Sequence, residues 1–190
     1  MKYDVQTYMQ LDKFIDMKIH TPEDLLAWMN SNISYGFVDV HGKKYTEDFD
    51  DETFYNLYRL QSPKQFFENK LGVCWDNAEF VRYVFSRLGI THDTVYLEKD
   101  NIEQSTHTFV LYKGEDDKIY HFENAFYNYR GIHGPFNKVE DAISSVNAQM
   151  DNDFQLKYKY TYRFIDNMTA GISCEQYMHT CINGRTKSKL

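Results

Sequence analysis

Residues 71–89 read LGVCWDNAEFVRYVFSRLG and combine a turn, a cysteine and a helix in one segment. Gly72 marks the turn, and the apolar side chains that follow it recur at helical spacing. Those side chains are Ala78, Val81, Val84, Phe85 and Leu88. Gly89 is typical of a residue that ends a helix, because glycine adopts the left-handed backbone conformation without steric cost. The pattern predicts a helix with a buried face that begins beside Cys74.

The position of Cys74 at the start of this helix favours a reactive thiol. The thiolate is the nucleophilic form of cysteine, and the unpaired N–H groups and positive dipole end of a helix favour that anion. The same N–H groups can bind the oxyanion of a tetrahedral intermediate. A lone cysteine in an intracellular protein is more often an inert buried side chain. The prediction of a nucleophile therefore depends on the turn and the helix around Cys74.

Residues 106–123 predict a β-hairpin. Strand-like runs cover 106–112 and 118–123, and Gly114-Glu115-Asp116 between them is typical of a turn. In an antiparallel pair, residues on opposite strands that face each other have Cβ atoms about 5 Å apart. The position of the turn therefore decides which side chains of the two strands meet.

This hairpin selects one of the seven histidines as a candidate base. If the turn is centred on Glu115, His107 lies directly opposite Glu123, and the carboxylate can accept the imidazole N–H and fix its tautomer. A turn that differs by one residue places Asn124 opposite His107 instead, and an amide can orient the ring in the same way. The sequence thus predicts a Cys-His-acid arrangement with Glu123 or Asn124 as the third member.

The rest of the chain predicts an α+β fold in which the helix that carries Cys74 packs on an antiparallel sheet. Capping signals and apolar spacing predict further helices: one opening at Thr21-Pro22-Glu23-Asp24, a short one over 51–58, one starting at Ser62-Pro63-Lys64-Gln65, one over 137–150, and a tail helix capped by Ser173 with Gln176. Strands are predicted over 93–97 and 158–164, and a long connection or short hairpin over 34–51.

Composition excludes several classes of protein. The 190 residues suit a single domain, and the net charge of −7 argues against a nucleic-acid binder, which gains affinity from clustered Lys and Arg. We find no apolar run long enough for a membrane span and no signal sequence over Met1–Gln10. These features predict a soluble cytoplasmic protein. The 16 Tyr and 14 Phe predict an aromatic core or cleft.

The cysteines predict neither a disulfide framework nor a metal site. Three is an odd and sparse number, so at least one thiol should be free. Cys174, His179 and Cys181 lack the paired spacing of structural zinc sites. We therefore expect no metal and no cofactor. The basic tail, residues 184–190, is expected to fray.

The motifs resemble the transglutaminase-like superfamily of papain-like cysteine enzymes. Its pattern is a Gly-x-Cys turn that opens a helix, a strand that carries His, and a strand that ends in an acid. The matching segments are Gly72-Val73-Cys74 with Ala78, Thr106-His107-Thr108-Phe109-Val110, and Phe122-Glu123-Asn124, all within residues 62–126. The resemblance implies a papain-like core and a catalytic triad of Cys74, His107 and Glu123. Glu123 departs from the pattern, because the wider superfamily usually has Asp there.

A narrower resemblance links the chain to small bacterial transglutaminase-like proteins. The segments that carry it are Tyr35-Gly36-Phe37-Val38-Asp39, Tyr58-Arg59-Leu60-Gln61-Ser62-Pro63, Gly72-Val73-Cys74-Trp75-Asp76, His107-Thr108-Phe109 and Gly131-Ile132-His133. Papain-like enzymes have a second oxyanion donor upstream of the cysteine, and Gln61, Gln65 and Tyr35 are candidates. Trp75 and Asn124 are further candidates for substrate contact.

The leading hypothesis is an enzyme in which Cys74 attacks an amide or peptide carbonyl and forms an acyl-thioester. Hydrolysis is favoured over transfer, because a small protein has little spare chain for a second-substrate tunnel. One alternative is a non-catalytic module that binds peptides in an aromatic cleft. Another is acyl transfer to an arylamine from a thioester donor such as an acyl-CoA, for which no Gly-rich or basic phosphate site is apparent in the sequence.

Overall fold

A computed structural model of the chain describes residues 5–46, 49–100, 105–155, 157–184 and 186–190. The helices are α1 (Val5–Lys18), α2 (Pro22–Asn32), α3 (Asp51–Leu57), α4 (Pro63–Asn69), α5 (Cys74–Leu88), α6 (Val139–Phe154) and α7 (Cys174–Asn183). The strands are β1 (Ser34–Tyr35), β2 (Phe37–Val38), β3 (Lys44–Tyr45), β4 (Leu71–Gly72), β5 (His92–Lys99), β6 (Thr106–Lys113), β7 (Ile119–Glu123), β8 (Gly131–Phe136) and β9 (Tyr160–Ile165). The predicted α+β fold is confirmed.

A five-stranded antiparallel sheet in the order β8-β7-β6-β5-β9 forms the centre of the fold. Alternate residues of β6 point to opposite faces of this sheet. Val110 and Tyr112 pack in one hydrophobic cluster with α5, whereas Phe109 and Leu111 pack in another with α6. The sheet is therefore covered by a helix on each face, and the helix that carries Cys74 lies on one of them.

Helix α1 was not predicted from the sequence, and it packs against α5. Leu11 and Ile15 are fully buried in the same cluster as the apolar face of α5. Asp12 accepts a hydrogen bond from the Tyr83 hydroxyl at 2.5 Å and pairs with Arg87 at 3.2 Å. Because such half-exposed ion pairs contribute little, the buried apolar side chains are the main reason that α1 is held in place.

Most helices begin at a residue whose side chain caps the first turn. Thr21, Ser62 and Ser173 each accept a hydrogen bond from a backbone N–H three residues on, and a returning acid or amide side chain completes a capping box. These three predicted helix starts are confirmed. Helices α5 and α6 are different, because their N-cap residues, Val73 and Lys138, make no side-chain capping bond.

The hairpin between β6 and β7 turns one residue later than predicted. Tyr112 faces Tyr120 and Lys113 faces Ile119, so the turn is centred on Asp116. Asp117 takes the left-handed conformation with φ of 61°, as the last residue of a three-residue hairpin turn commonly does. A Cβ on Gly114 would lie 2.7 Å from the Tyr120 ring. Gly114 thus permits close packing at the end of the strand, and its carbonyl oxygen accepts the Asp117 N–H at 3.1 Å as the first residue of the turn.

The described part of the tail, residues 186–190, contacts the central sheet. Asp93 is buried, and its carboxylate accepts hydrogen bonds from the Ser188 hydroxyl at 2.6 Å and the Lys189 N–H at 2.9 Å. Thr186 forms a bridge with Phe164 of β9. Since a buried carboxylate needs hydrogen-bond donors, residues 186–190 supply partners that the sheet does not. Arg185 lies outside the described residues.

Among the described helices, none is both long and apolar enough to cross a membrane.

Candidate active site

Cys74 is the first residue of α5 and is partly exposed. The preceding Val73 has no side-chain acceptor, so it leaves the N–H groups of the first turn uncapped. The only part of a capping box at this helix start is the return bond, in which Asp76 accepts the Val73 N–H at 3.1 Å. The positive end of the helix therefore remains available to a negatively charged group beside Cys74.

Asp76 fixes the turn before Cys74. Its other carboxylate oxygen accepts hydrogen bonds from the Gln61 N–H at 2.9 Å and the Tyr58 hydroxyl at 3.0 Å. Burial raises the pKa of Asp76 to about 7, although these hydrogen bonds oppose that shift. Asp76 thus joins the residues before α4 to the start of α5.

Asn77 links the same turn to the end of β7. Its side-chain N–H group donates to the carbonyl oxygens of Gly72 at 3.1 Å and Val73 at 2.9 Å. Its side-chain oxygen accepts from the Asn124 amide at 2.9 Å. The side chain of Asn124 therefore holds Asn77 and does not orient His107, which was the alternative that the sequence left open.

His107 and Glu123 are joined by a hydrogen bond of 2.6 Å between Nε2 and Oε2, and both side chains are buried. The other oxygen of Glu123 accepts the N–H groups of Ala125 at 2.7 Å and Phe126 at 2.8 Å. Burial favours a lower pKa for His107, but the charge of Glu123 and the hydrogen bond to Cys74 outweigh it and raise the pKa to about 10. Burial favours a higher pKa for Glu123, but the His107 charge and hydrogen bond outweigh it and hold the pKa well below its usual range.

The two residues reach each other diagonally, so the prediction that they lie directly opposite is wrong. Val110 faces Phe122, and continuing this register puts Glu123 opposite Phe109, two residues along the strand from His107. Diagonal neighbours have Cα atoms about 7 to 8 Å apart, which long side chains can span. The extra methylene of Glu, compared with Asp, provides this reach. The turn lies one residue later than predicted, and this shifts the strand pairing by two residues. His107 and Glu123 therefore still lie on the same face of the sheet.

A second histidine, His121, also contacts Glu123. Its Nε2 lies 3.3 Å from the Glu123 Oε2, and its side chain is fully buried. Burial, the largest influence, lowers the pKa of His121, which favours a neutral ring. The ring centroid lies 5.3 Å from that of His133. The sequence analysis missed His121, although the two-residue period of a strand places it on the same face as Glu123.

A cavity of about 360 Å³ opens beside Cys74 and His107. Its remaining lining consists of Tyr35, Thr106, Ala125, Phe126, Tyr127, Met150, Asp153 and Phe154. The sequence did not predict the residues of α6 in this lining, because the predicted helix ended at Met150, whereas α6 continues for another turn to Phe154. The extra turn brings Asp153 and Phe154 to the mouth of the cavity.

Of the three candidate oxyanion donors, Tyr35 is the one that lines this cavity. Strand β1 pairs with β4 so that Tyr35 faces Gly72, two residues before Cys74. Burial of the hydroxyl, followed by the proximity of Cys74 and Asp76, raises the pKa of Tyr35. The Tyr35 hydroxyl therefore stays protonated at neutral pH and is able to donate a hydrogen bond.

The side chains of Gln61 and Gln65 are engaged elsewhere. The Gln61 amide donates to the Leu71 carbonyl at 2.8 Å and accepts from Asn69 at 2.7 Å. Gln65 accepts the Ser62 N–H at 2.9 Å in the capping box of α4. Neither residue lines the cavity, because both are needed for the local structure before α5.

Trp75 is also outside the cavity. Its ring stacks on Tyr177 of α7 with centroids 4.3 Å apart and planes 17° apart. It is buried among Phe54, Tyr58 and other aromatic residues of a second hydrophobic cluster. Its position next to Cys74 in sequence does not bring it to the cavity, since consecutive residues of a helix point about 100° apart.

The other two cysteines lie apart from this site. Cys174 and Cys181 are buried free thiols of α7, and burial raises their pKa values to about 11 and about 12. Within the part of the chain that the structure describes, no three His, Cys, Asp or Glu side chains are grouped so that they could hold a metal ion.

Comparison with known proteins identifies a family. A family model described as a transglutaminase-like domain matches residues 7–122. The match includes Cys74 and His107 and ends one residue before Glu123. A search of curated proteins finds no match to the chain.

Proposed function

The chain belongs to the transglutaminase-like domain family, and from that premise we propose that it is a cysteine-dependent enzyme that attacks an amide or peptide carbonyl. Cys74 is the nucleophile, His107 its acid and base, and Glu123 the residue that orients His107. The acyl-thioester formed on Cys74 is released to water. The substrate is a peptide, a protein or another amide.

One observation carries this proposal: His107 is hydrogen-bonded to Glu123 at 2.6 Å and borders the same cavity as Cys74, which lies close enough to contribute to the raised pKa of the His107 ring. Because Nε2 of His107 bonds to Glu123, Nδ1 is the ring nitrogen left for the sulfur. Both Cys74 and His107 border the same cavity, which gives a substrate access to the two reacting groups. A nucleophile, a base and an orienting acid in contact are the parts that covalent catalysis requires.

The reaction proceeds in two halves. In the first, the Cys74 thiolate attacks the carbonyl carbon, a C–S bond forms, and the carbonyl electron pair moves to oxygen. The intermediate collapses with cleavage of the C–N bond, and the leaving amine takes a proton from His107. In the second, water attacks the thioester and gives a proton to His107, and the C–S bond breaks to release a carboxylic acid and the Cys74 thiolate.

The oxyanion of each tetrahedral intermediate is stabilised at the start of α5. The Cys74 backbone N–H belongs to a first turn that Val73 does not cap, and the Tyr35 hydroxyl is the second donor. Preorganised donors at such a position commonly contribute about 100-fold to 1,000-fold in rate each. Tyr35→Phe keeps the ring and removes only the hydroxyl, so it should slow turnover while leaving alkylation of Cys74 unchanged.

Hydrolysis is supported by the openness of the site. Tyr127, at the mouth of the cavity, is 77% exposed. Cys74 itself is partly exposed, so water can reach a thioester formed on its sulfur. A transferase needs an acceptor amine to outcompete that water, and we place hydrolysis first for this reason.

The test is alkylation by iodoacetamide, followed by intact-mass measurement across about pH 4 to 9. We expect one fast site that remains fast well below the ordinary thiol pKa of about 8.5. Cys74→Ala should lose the fast phase, and His107→Asn should slow it to the rate of an ordinary thiol. Cys174→Ala is the matched control and should keep it, since Cys174 is a buried thiol whose pKa is raised.

Slow alkylation of Cys74 in the wild type, with the pH dependence of an ordinary thiol, would sink the proposal and leave a peptide-binding module as the better description. Glu123→Gln should reduce the fast rate less than His107→Asn, because an amide can still orient the ring. If Glu123→Gln is as slow as His107→Asn, the negative charge itself is required. Unchanged alkylation in Glu123→Ala would contradict the orienting role.

A further inference from the structure

We propose that the cavity beside Cys74 binds a bulky apolar or aromatic side chain of the acyl donor and disfavours an acidic one. This inference rests on the proposed function, because it assigns the substrate class of the same site. It concerns the side chain adjacent to the carbonyl that Cys74 attacks.

The shape of the cavity is set by aromatic side chains. Phe126 lies 5.5 Å from the His107 ring and stacks on Phe154, with centroids 5.9 Å apart and planes 18° apart. Met150 and Ala125 supply further apolar surface. An apolar wall that begins at the catalytic histidine can take up only the part of a substrate that lies next to the reacting carbonyl.

The mouth of the cavity leaves large aromatic residues exposed to water. Tyr127, Phe154 and Tyr35 are 77%, 46% and 44% exposed. They come from three distant parts of the chain and yet border one opening. Exposed apolar surface that gathers at a cleft marks a binding site more often than chance. Covering these rings would give a bound apolar group a favourable burial energy.

The volume fits one side chain and a short stretch of backbone. The cavity of about 360 Å³ lies at the small end of ligand sites, which run from about 300 to 1,000 Å³. A side chain the size of phenylalanine fills such a space, whereas alanine leaves much of it to water. The expected preference is therefore for size as well as for apolar character.

The charges around the cavity disfavour an acidic side chain. No Lys or Arg is among the described lining residues, and Arg130, whose guanidinium lies 5.1 Å from the Tyr127 ring centroid outside the cavity, donates to the Asn124 carbonyl oxygen. The His107 ring is already paired with Glu123. The remaining charged residue is Asp153, which accepts a hydrogen bond of 2.5 Å from Asn128 and repels a second carboxylate. The start of α5 is occupied by the oxyanion in the proposed reaction, so a carboxylate side chain elsewhere in this cavity would lose water without gaining a partner.

The experiment uses peptidyl chloromethyl ketones that differ only in the side chain next to the ketone: Phe, Leu, Ala, Lys or Glu. The Cys74 thiolate displaces chloride and forms a thioether, so intact mass gives a second-order rate for each probe. Since burial of a large apolar side chain is favourable, we expect the Phe and Leu probes to react at least tenfold faster than the Ala probe. The Glu probe should be the slowest.

Two variants at the mouth of the cavity test whether its aromatic residues cause the preference for the Phe probe. Phe154→Ala and Tyr127→Ala should each lower the ratio of the Phe rate to the Ala rate several-fold, because they remove a wall and the mouth of the cavity. Tyr55→Ala is the matched control, since Tyr55 is 47% exposed and does not line the cavity; its ratio should equal that of the wild type. Asp153→Asn should raise the rate of the Glu probe.

The outcomes separate this inference from the proposed function. Fast iodoacetamide alkylation with equal Phe and Ala rates overturns the inference and leaves the proposed enzyme intact. The same holds if the Phe preference survives both Phe154→Ala and Tyr127→Ala. Slow alkylation of Cys74 by iodoacetamide and by every probe means that the proposed function itself has failed.

Discussion

Helices α4 and α5 follow each other in the chain, and their starts are built in opposite ways. In α4, the Ser62 hydroxyl accepts the Gln65 N–H at 3.3 Å and the Gln65 side chain returns to the Ser62 N–H at 2.9 Å. In α5, Asp76 returns to the Val73 N–H at 3.1 Å, but Val73 offers no acceptor in exchange. One helix start is closed by its own side chains, and the other is left open.

Under the proposed function, the open start of α5 exchanges local stability for a place to bind negative charge. A Ser, Thr, Asp or Asn cap stabilises a helix by about 1 kcal/mol, and α5 forgoes that contribution at the one helix start that carries the proposed nucleophile. The first-turn N–H groups are then free to bind a negatively charged group on the substrate. A departure from local rules at a functional site is expected, and the following variants test whether this is the reason here.

The largest expected effect is that of Asp76→Ala. It leaves the Tyr58 hydroxyl and the N–H groups of Gln61 and Val73 without their acceptor in a buried region. Unsatisfied buried groups cost about 1 to 3 kcal/mol each, so the free energy of unfolding should fall by about 3 kcal/mol or more in urea. Gln65→Ala, at the same position of α4 but exposed, should cost about 1 kcal/mol or less. Equal losses would mean that the two helix starts do not differ as described.

The next effect is a pH dependence of stability that comes from the same buried carboxyl. Its folded-state pKa is raised to about 7 by burial, so between about pH 4 and 7 the folded chain holds a proton that the unfolded chain releases. The stabilisation is present below about pH 4 and is lost as the pH rises through about 7. Asp76→Asn should reduce the slope of unfolding free energy in this window by up to about 1.4 kcal/mol per pH unit.

Glu79 provides the matched control for this slope. Burial also raises its pKa to about 7, but it lies one turn into α5, paired with Arg82 at 3.2 Å. Glu79→Gln should therefore change the same slope without affecting the start of the helix. An unchanged slope in both variants would contradict burial as the origin of the pH dependence.

A cap introduced at α5 tests the open helix start directly. Val73→Thr keeps the shape of the buried side chain and adds a hydroxyl that can accept a first-turn N–H. We expect release of p-nitrophenolate from p-nitrophenyl acetate to slow several-fold, because a cap on the Trp75 or Asp76 N–H partly neutralises the positive helix end that stabilises the oxyanion. Alkylation by iodoacetamide, which forms no oxyanion, should stay within about twofold. Val73→Ala lacks the hydroxyl, and it should retain esterolysis if the cap is responsible.

The smallest effect is expected from removing the cap of α4. Ser62→Ala should lower the free energy of unfolding by about 1 kcal/mol and leave p-nitrophenyl acetate turnover unchanged. Urea unfolding and the esterolysis assay on the same sample give both values. A large fall in esterolysis would show that α4 positions Cys74, and the simple contrast between the two helix starts would then be wrong.

Sequence reasoning was most reliable where a local pattern has one physical explanation. The apolar spacing from Ala78 to Leu88 and the Gly89 terminator predicted α5, and the structure has it at Cys74–Leu88, with Gly89 at a φ of 71°. The two strands of the hairpin, and the prediction that His107 and Glu123 share a face, followed from the alternation of side-chain direction along a strand. A shift of the pairing by two residues leaves that face unchanged. The cap residues Thr21, Ser62 and Ser173 were predicted from their own short motifs.

Features that depend on contacts between distant residues were missed. Gln61 was a plausible oxyanion donor by its position upstream of Cys74, but Leu71 and Asn69 engage its amide. Phe154 reaches the cavity only because α6 runs one turn past the last apolar residue of its buried face. Such outcomes depend on how separate elements pack, which a one-dimensional pattern does not contain.

The late hairpin turn has an evolutionary consequence. With the turn centred on Asp116, the partner of His107 is reached along a diagonal, and the longer acid, Glu123, spans it. A turn centred on Glu115 would bring positions 107 and 123 face to face, where an aspartate would suffice. Asp117 selects the turn, and the acid at position 123 must match that turn in length. We therefore expect these two positions to covary among proteins with a common ancestor. A related protein in which only the turn position or only the length of the acid has changed would lose the contact between His107 and that acid.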